Sequence, residues 1–229
     1  MDRIQLIQNL IKLKNFRTYL EIGVLHGDVF FSVDCPKKVA VDPEFRFDRK
    51  KRLKEFIKGL IKPKVYFIEK TSDDFFKEDA PQLFKKGELD IVLVDGMHEF
   101  NHVLNDVFNS LEFLSPNGVI VLHDCNPKSQ QEASTFNEWQ NEGFKGYWLG
   151  DVWKCIPFLI KNRPDLDVFV ADCDFGLGII TKRKNFEAKI NHTSDRQIFE
   201  AMQYKELEMD RASILNLKTE VYLHEYFFK

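Results

Sequence analysis

The stretch Tyr19-Leu20-Glu21-Ile22-Gly23-Val24-Leu25-His26-Gly27 constrains this chain more than any other. A short apolar strand runs directly into a turn marked by two glycines, and a helix can start behind it. At the carboxyl end of a parallel strand a ligand meets backbone N–H groups and a helix N-terminus, so the turn reads as the floor of a binding crevice. Gly23 permits a positive φ or a close backbone approach, and Gly27 permits tight helix–strand packing.

The rest of the chain alternates strand-like and helix-like periods. Ile4, Leu6, Ile7, Leu10, Ile11 and Leu13 recur at helical spacing and predict an amphipathic helix over 2–14. Strands are predicted at 18–22, 38–41, 64–68, 89–95 and 119–122. The unbroken Leu89-Asp90-Ile91-Val92-Leu93-Val94 run suits a central strand buried on both faces. Between the strands, 28–33 reads as a short helix or turn, 48–61 as a surface helix, 73–77 as a short helix and Pro81 as the start of another helical turn. Phe100, Val103, Leu104, Val107, Leu111 and Leu114 mark a longer amphipathic helix, and Ser115-Pro116-Asn117-Gly118 reads as a turn. The irregular residues 125–150 read as a cover over the site, and 151–161 as a helix that Pro157 bends or interrupts. Residues 167–170 and 178–181 read as a hairpin turning near Asp174-Phe175-Gly176. Residues 195–229 read as a helix and an aromatic tail, docked either on the chain's own core or on a second subunit. This alternation predicts an α/β fold in one domain over 1–229: a mostly parallel sheet with helices on its faces and an antiparallel last strand.

Composition narrows the partners. A formal charge of −3 without a basic block argues against nucleic acid. No apolar run is long enough to span a bilayer, and Met-Asp-Arg opens an amphipathic pattern instead of an apolar signal core. Cys35, Cys125, Cys155 and Cys173 are scattered without a C-x-x-C pair, the pattern of reduced thiols in a cytoplasmic protein.

A dinucleotide turn wants Gly-x-Gly-x-x-Gly, but here Glu21 holds the first glycine position. A carboxylate there repels a pyrophosphate and suits an ammonium group. Asp42 lies about 20 residues on, where a carboxylate accepts hydrogen bonds from ribose hydroxyls; a turn cap before Pro43 is an equal reading. An amino-acid end, a ribose and no phosphate describe S-adenosylmethionine.

A second cluster is Asp95, His98, His123 and Asp124, at the ends of the fourth and fifth strands. If those strands are neighbours, Asp95 and Asp124 stand side by side and require a shared proton or a cation. A divalent ion such as Mg²⁺ fits, and it lowers the pKa of a bound hydroxyl. His98 is then the candidate base, a hydrogen-bonded structural imidazole being the alternative. Asn126, His123 or water could complete the metal shell.

With these motifs the chain resembles the class I S-adenosylmethionine-dependent methyltransferases. Glu21-Ile22-Gly23-x-x-x-Gly27, Val41-Asp42-Pro43, Asp95-Gly96-Met97-His98 and Gly118-Val119-Ile120-Val121-Leu122-His123-Asp124 carry the resemblance, over roughly residues 15–183. The Asp-Gly-x-His and His-Asp pairs look like the subgroup containing sugar O-methyltransferases. The resemblance implies a seven-stranded Rossmann-like sheet in the order 3-2-1-4-5-7-6. It implies that Glu21, Gly23 and Gly27 hold the methionine end and Asp42 the ribose, that Thr71 and Ser72 lie near the adenine, and that the cofactor crosses strands one, two and four beside Asp95. A sugar or nucleotide-sugar acceptor follows from the same likeness. Metal-dependent catechol methyltransferases, also similar, carry lysine where His98 stands and an Asp-Asn pair at the second strand end; here Cys125 separates Asp124 from Asn126. Trp139, Tyr147 and Trp148 could stack on a sugar ring or simply pack. A non-catalytic cofactor-binding protein of the same fold and a nucleotide-dependent oxidoreductase are the competing readings, and Glu21 counts against the second.

Overall fold

The computed structural model describes residues 1–48, 50, 51, 64–142, 146–184, 186 and 195–229. The helix expected over 48–61 falls, from position 52 onward, outside the described residues. Strands β1 (Thr18–Ile22), β2 (Lys37–Val41), β3 (Lys64–Ile68), β4 (Leu89–Val94), β5 (Leu114–Leu122), β6 (Leu166–Ala171), β7 (Leu177–Lys182) and β8 (Leu217–Lys218) lie in one sheet in the order 3-2-1-4-5-7-6-8. β1 pairs in parallel with β2 and β4, and β2 with β3. β6 and β7 form the antiparallel hairpin, and β8 adds in parallel to β6. The order matches the expected seven strands, and β8 is an eighth that the sequence did not signal. The chain divides into two compact units, Met1–Gly96 with Asn105–Ile120, and Met97–Leu104 with Val121–Lys229.

In the first unit, β1 and the apolar run of β4 supply the core, with Leu20, Leu89, Ile91, Val92 and Leu93 fully buried. Helix α1 (Arg3–Lys14) starts at a capping box, Asp2 with Gln5, and buries Leu6, Ile7, Leu10 and Ile11. Of the short helix or turn expected over 28–33, the turn forms. Residues 28–32 make turns, with Phe31 N–H bonded to the Gly27 carbonyl and Val33 N–H to that of Val29. Val29, Phe30, Phe31 and Val33 lose rotamer freedom in a helix, and Pro36 leaves too short a run to nucleate one. The rings instead join a cluster of Phe30, Phe31, Phe45, Phe47 and Phe67, with centroids 4.9–6.2 Å apart. Helices α2 (Ser72–Glu78) and α3 (Ala80–Leu83) follow β3. The turn expected at Ser115–Gly118 is the first part of β5. Pro116 and Asn117 lie at its exposed start, where proline's missing N–H breaks no buried ladder.

Helix α4 (Phe100–Phe113) runs between β4 and β5. In the second unit, α5 (Phe136–Glu142) precedes a 3₁₀ turn (Val152–Lys154) and α6 (Cys155–Asn162). Pro157 sits in the first turn of α6, where its N–H would be unpaired anyway. The C-terminal segment forms four short helices: α7 (Arg196–Glu200), α8 (Tyr204–Met209), α9 (Arg211–Ile214) and α10 (Glu220–Phe228). α10 docks on the chain's own β6. Leu223 and Phe227 are buried, Phe169 packs edge-on to Tyr222 and Tyr226, and the Tyr226 hydroxyl lies 2.7 Å from that of Thr181. All four cysteines are free, and among the described residues no helix is long and apolar enough to cross a membrane.

Candidate active site

The glycine turn after β1 is held by backbone contacts that tolerate little change. Gly23 has φ 83°, and a Cβ added there would stand 2.2 Å from the Asp95 carbonyl oxygen. Its N–H bonds to the Val41 carbonyl at 3.0 Å, while Asp95 N–H bonds to that of Ile22 at 2.9 Å, so the ends of β1, β2 and β4 are tied at one point. A Cβ on Gly27, at φ 77°, would run into the Phe31 ring at 2.4 Å.

Asp42 is built into this turn. Its Oδ2 accepts the Val24 and Leu25 N–H groups, both at 2.8 Å, and its Oδ1 accepts Glu44 N–H at 2.8 Å. The carboxylate that spacing assigns to a ribose thus braces the loop beneath it. Leu25 takes φ 44° within that brace.

Glu21 is 2% exposed. Burial pushes its pKa up to about 8; the Tyr19 hydroxyl, which donates to it, and the nearby Lys38 and Arg3 charges draw it down, and Asp95 pushes it up. Lys38 donates to the Phe30 and Val33 carbonyls at 2.8 Å each. Asp95 lies at the end of β4, 3.4 Å from Arg3 Nε. Thr71 caps α2 through Asp74 N–H at 3.2 Å. Ser72 bonds to Asp106 of α4, a carboxyl that burial pushes up to about 7 and Ser72 draws down.

In the second unit a chain of ionisable side chains follows β5. His98 Nδ1 is 3.2 Å from Asp124 Oδ2 and 3.2 Å from the Trp148 carbonyl, with its ring stacked on that indole at 5.3 Å. Asp124 Oδ1 is 3.0 Å from His123 Nδ1, and His123 Nε2 is 3.6 Å from Asp174 Oδ1. Asp124, Asp174, Phe175 and Gly176 all hold positive φ, at 61°, 45°, 61° and 90°. Two bonds clamp this left-handed backbone, Cys125 N–H to Gly176 O at 3.0 Å and Asn126 N–H to Phe175 O at 2.9 Å. His98 is pinned too: its carbonyl accepts Asp151 N–H at 3.1 Å, and a Cβ on Gly150 would stand 1.8 Å from the same oxygen.

Asn126 is 1% exposed and committed elsewhere. Its Oδ1 accepts from Arg211 at 2.6 Å and its Nδ2 donates to Asp172 at 2.8 Å. Trp148 packs between His98 and Trp139, while Tyr147 is 70% exposed and leans on Phe175 at 4.9 Å. The structure therefore gathers Glu21, Gly23, Gly27, Asp42 and Asp95 in one unit, and His98 with Asp124 in the other. Sequence reasoning missed Asp174, which it read as a hairpin turn, and Arg211, whose partner Asn126 lies 85 positions away.

Residues 20–125 match a family model described as a methyltransferase domain. The fold is similar to that of a Corynebacterium glutamicum protein, with a TM-score of 0.55 and 16% identity over 81% of this chain and 82% of that one. It is also similar to SAH-bound methyltransferase PaMTH1 of Podospora anserina, with a TM-score of 0.51 and 18% identity over 79% of this chain and 77% of that one. For the O-methyltransferase TomG of Streptomyces achromogenes, solved in complex with SAM, the TM-score is 0.51 at 14% identity, with 80% of each chain covered. No curated protein matches the chain in sequence. At these identities the structural likeness is one of fold, and the matched stretch contains the glycine turn, Asp42, Asp95, His98 and Asp124. Residues 20–125 are thus similar to a methyltransferase domain, and the sheet carries the strand order expected from the sequence.

Proposed function

We propose that the protein transfers the methyl group of S-adenosylmethionine to a hydroxyl of a small molecule, with a sugar or nucleotide-sugar as the acceptor class. The observation that carries the reading is the setting of His98. Two acceptors, the Asp124 carboxylate and the Trp148 carbonyl, lie within reach of its Nδ1, which supports a proton on that nitrogen. Nε2 is then the basic nitrogen, and Asp124 stabilises the imidazolium that forms when it takes a hydroxyl proton.

The first unit suits the donor. When bound, S-adenosylmethionine supplies a methyl group made electrophilic by its sulfonium. Gly23 lets a ligand approach the backbone where no side chain fits, and the buried Glu21 offers a carboxylate to an ammonium group. Asp42 keeps the loop in shape for the ribose, and Thr71 and Ser72 face the adenine side at the start of α2. Exposed Tyr147 and Phe175 beside His123 offer aromatic faces of the kind that pack on the C–H face of a sugar ring.

Asp95, Asp124 and Asn126 are the residues expected to hold Mg²⁺. Asp95 faces the Arg3 guanidinium, Asp124 has a ring nitrogen against each oxygen, and the Asn126 oxygen accepts from Arg211. No step is assigned to a metal. Four free cysteines suit a reducing compartment, which supports a cytoplasmic location.

The test is transfer of isotope-labelled methyl from S-adenosylmethionine to a panel of sugars, nucleotide-sugars and a catechol, with and without EDTA. Transfer to a sugar class is expected, loss of transfer in EDTA would bring in a divalent metal, and His98→Ala should lower kcat by roughly 10²- to 10⁴-fold. Equal turnover in wild type and His98→Ala would remove the base. Thermal stabilisation by NAD and not by S-adenosylmethionine would remove the methyltransferase reading. Cofactor binding without transfer to any acceptor would favour a non-catalytic protein of the same fold.

A further inference from the structure

Arg3 and Asp95 form an ion pair beside the glycine turn, where the Asp95 backbone abuts Gly23. Arg3 is the first residue of α1, and its place is fixed twice. The Asp2–Gln5 capping box sets where the helix begins, and Leu6, Ile7 and Leu10, all fully buried, hold the helix against its neighbours. From that position its Nε reaches within 3.4 Å of Asp95 Oδ2, with the two side chains 26% and 16% exposed. Arg3 also bears on Glu21, whose carboxyl it helps draw toward the charged form. The other cation of this neighbourhood, Lys38, is turned to the Phe30 and Val33 carbonyls.

An α-amino acid carries its carboxylate and its ammonium on one carbon. A site that reads both must hold a cation and an anion within a few ångströms of each other, beside backbone that can come close. Arg3, Asp95 and Gly23 meet that description, since Gly23 abuts the Asp95 carbonyl. A zwitterion entering here replaces one ion pair by two, so neither side chain loses its counter-charge on binding. The guanidinium is a planar fork that matches a carboxylate bidentately, which a lysine cannot do.

We propose that Arg3 anchors the carboxylate of the donor's amino-acid end, with Asp95 and Glu21 on the ammonium side. This rests on the reading of the first unit as an S-adenosylmethionine site. The two can fail separately.

The experiment is isothermal titration of wild type, Arg3→Ala and Arg3→Lys with S-adenosylmethionine and with its decarboxylated analogue, which lacks the group in question. Wild type should prefer S-adenosylmethionine by about tenfold or more, the scale of one charge-assisted hydrogen-bonded contact. Arg3→Ala should lose that preference, weakening S-adenosylmethionine while leaving the decarboxylated analogue within about twofold, which also shows that the variant is folded. Arg3→Lys should recover part of it. An equal loss for both ligands in Arg3→Ala would make Arg3 a structural partner of Asp95 and overturn the proposal, as would no loss at all. Failure of wild type to bind either ligand would overturn the cofactor site itself and the proposal with it.

Discussion

Gly23 and Asp106 are single residues whose physical settings lead to measurements. Gly23→Ala puts a methyl 2.2 Å from a backbone oxygen at a φ of 83°, so backbone must move and left-handed strain remains. Urea unfolding should show a loss of at least about 2 kcal/mol, and isothermal titration should show loss of the proposed S-adenosylmethionine binding. Asp106 is buried, with its Oδ1 lacking a hydrogen-bond partner and its pKa pushed up to about 7 from an ordinary 3.8. Between those two values the folded state holds more protons than the unfolded state, so stability falls as pH rises and levels off above 7. From pH 5.5 to 7 this one group costs about 2 kcal/mol. Asp106→Asn should remove that part of the slope; urea midpoints at pH 5.5, 7 and 8 measure it, and Glu21, with its pKa near 8, keeps a residual decline in the same direction. At this scale the sequence was readable where function and neighbour lie close in the chain. Glu21, Gly23 and Asp42 stand at strand ends, and the period of the strands locates them. The brace from Asp42 to Val24 and Leu25 was legible as an alternative, because an aspartate before proline caps turns. Asp174 and Arg211 were not legible, because the β6–β7 turn and α9 meet the loop after Asp124 through folding over 46 to 85 positions.

Among the elements, β4 was the easiest to read, since the four consecutive apolar residues Ile91 to Val94, all buried, leave no other use for so apolar a run. The segment behind Gly27 was open between a short helix and a turn, and its aromatic and β-branched residues favour the turn and a phenylalanine cluster. At the start of β5 a turn was expected from Pro116, Asn117 and Gly118, yet the strand runs through them at its exposed start. The C-terminal helices were blurred into one, because Gln203, Asp210 and Thr219 act as separate caps within a short span. α10 is predicted to stabilise β6 directly. Ending the chain after Asn216 removes the buried Leu223 and Phe227 and the Tyr226–Thr181 bond. A loss of at least about 3 kcal/mol is expected in urea unfolding, from the apolar surface these two side chains bury.

For the whole molecule, the order of motifs along the chain carried the most information. A glycine turn, an aspartate about 20 residues on, and two acid–imidazole strand ends follow one another as a parallel sheet requires, and the observed strand order agrees. The aromatic face proposed for the acceptor was legible only in Tyr147. Tyr147, Phe175 and His123 belong to different loops, and nothing in their spacing brings them together. The mild formal charge of −3 adds no field that would favour one acceptor over another. The two-residue β8 has a consequence of a different kind. Lying parallel on β6 at Val170 and Ala171, it occupies bonding groups that would otherwise face outward, and one of its two residues is a lysine. So short and charged an edge cannot template another chain. The intact protein should therefore resist amyloid-like polymerisation when held near its melting onset. The chain ending at Asn216, stripped of this guard, should nucleate thioflavin-positive fibrils under the same conditions.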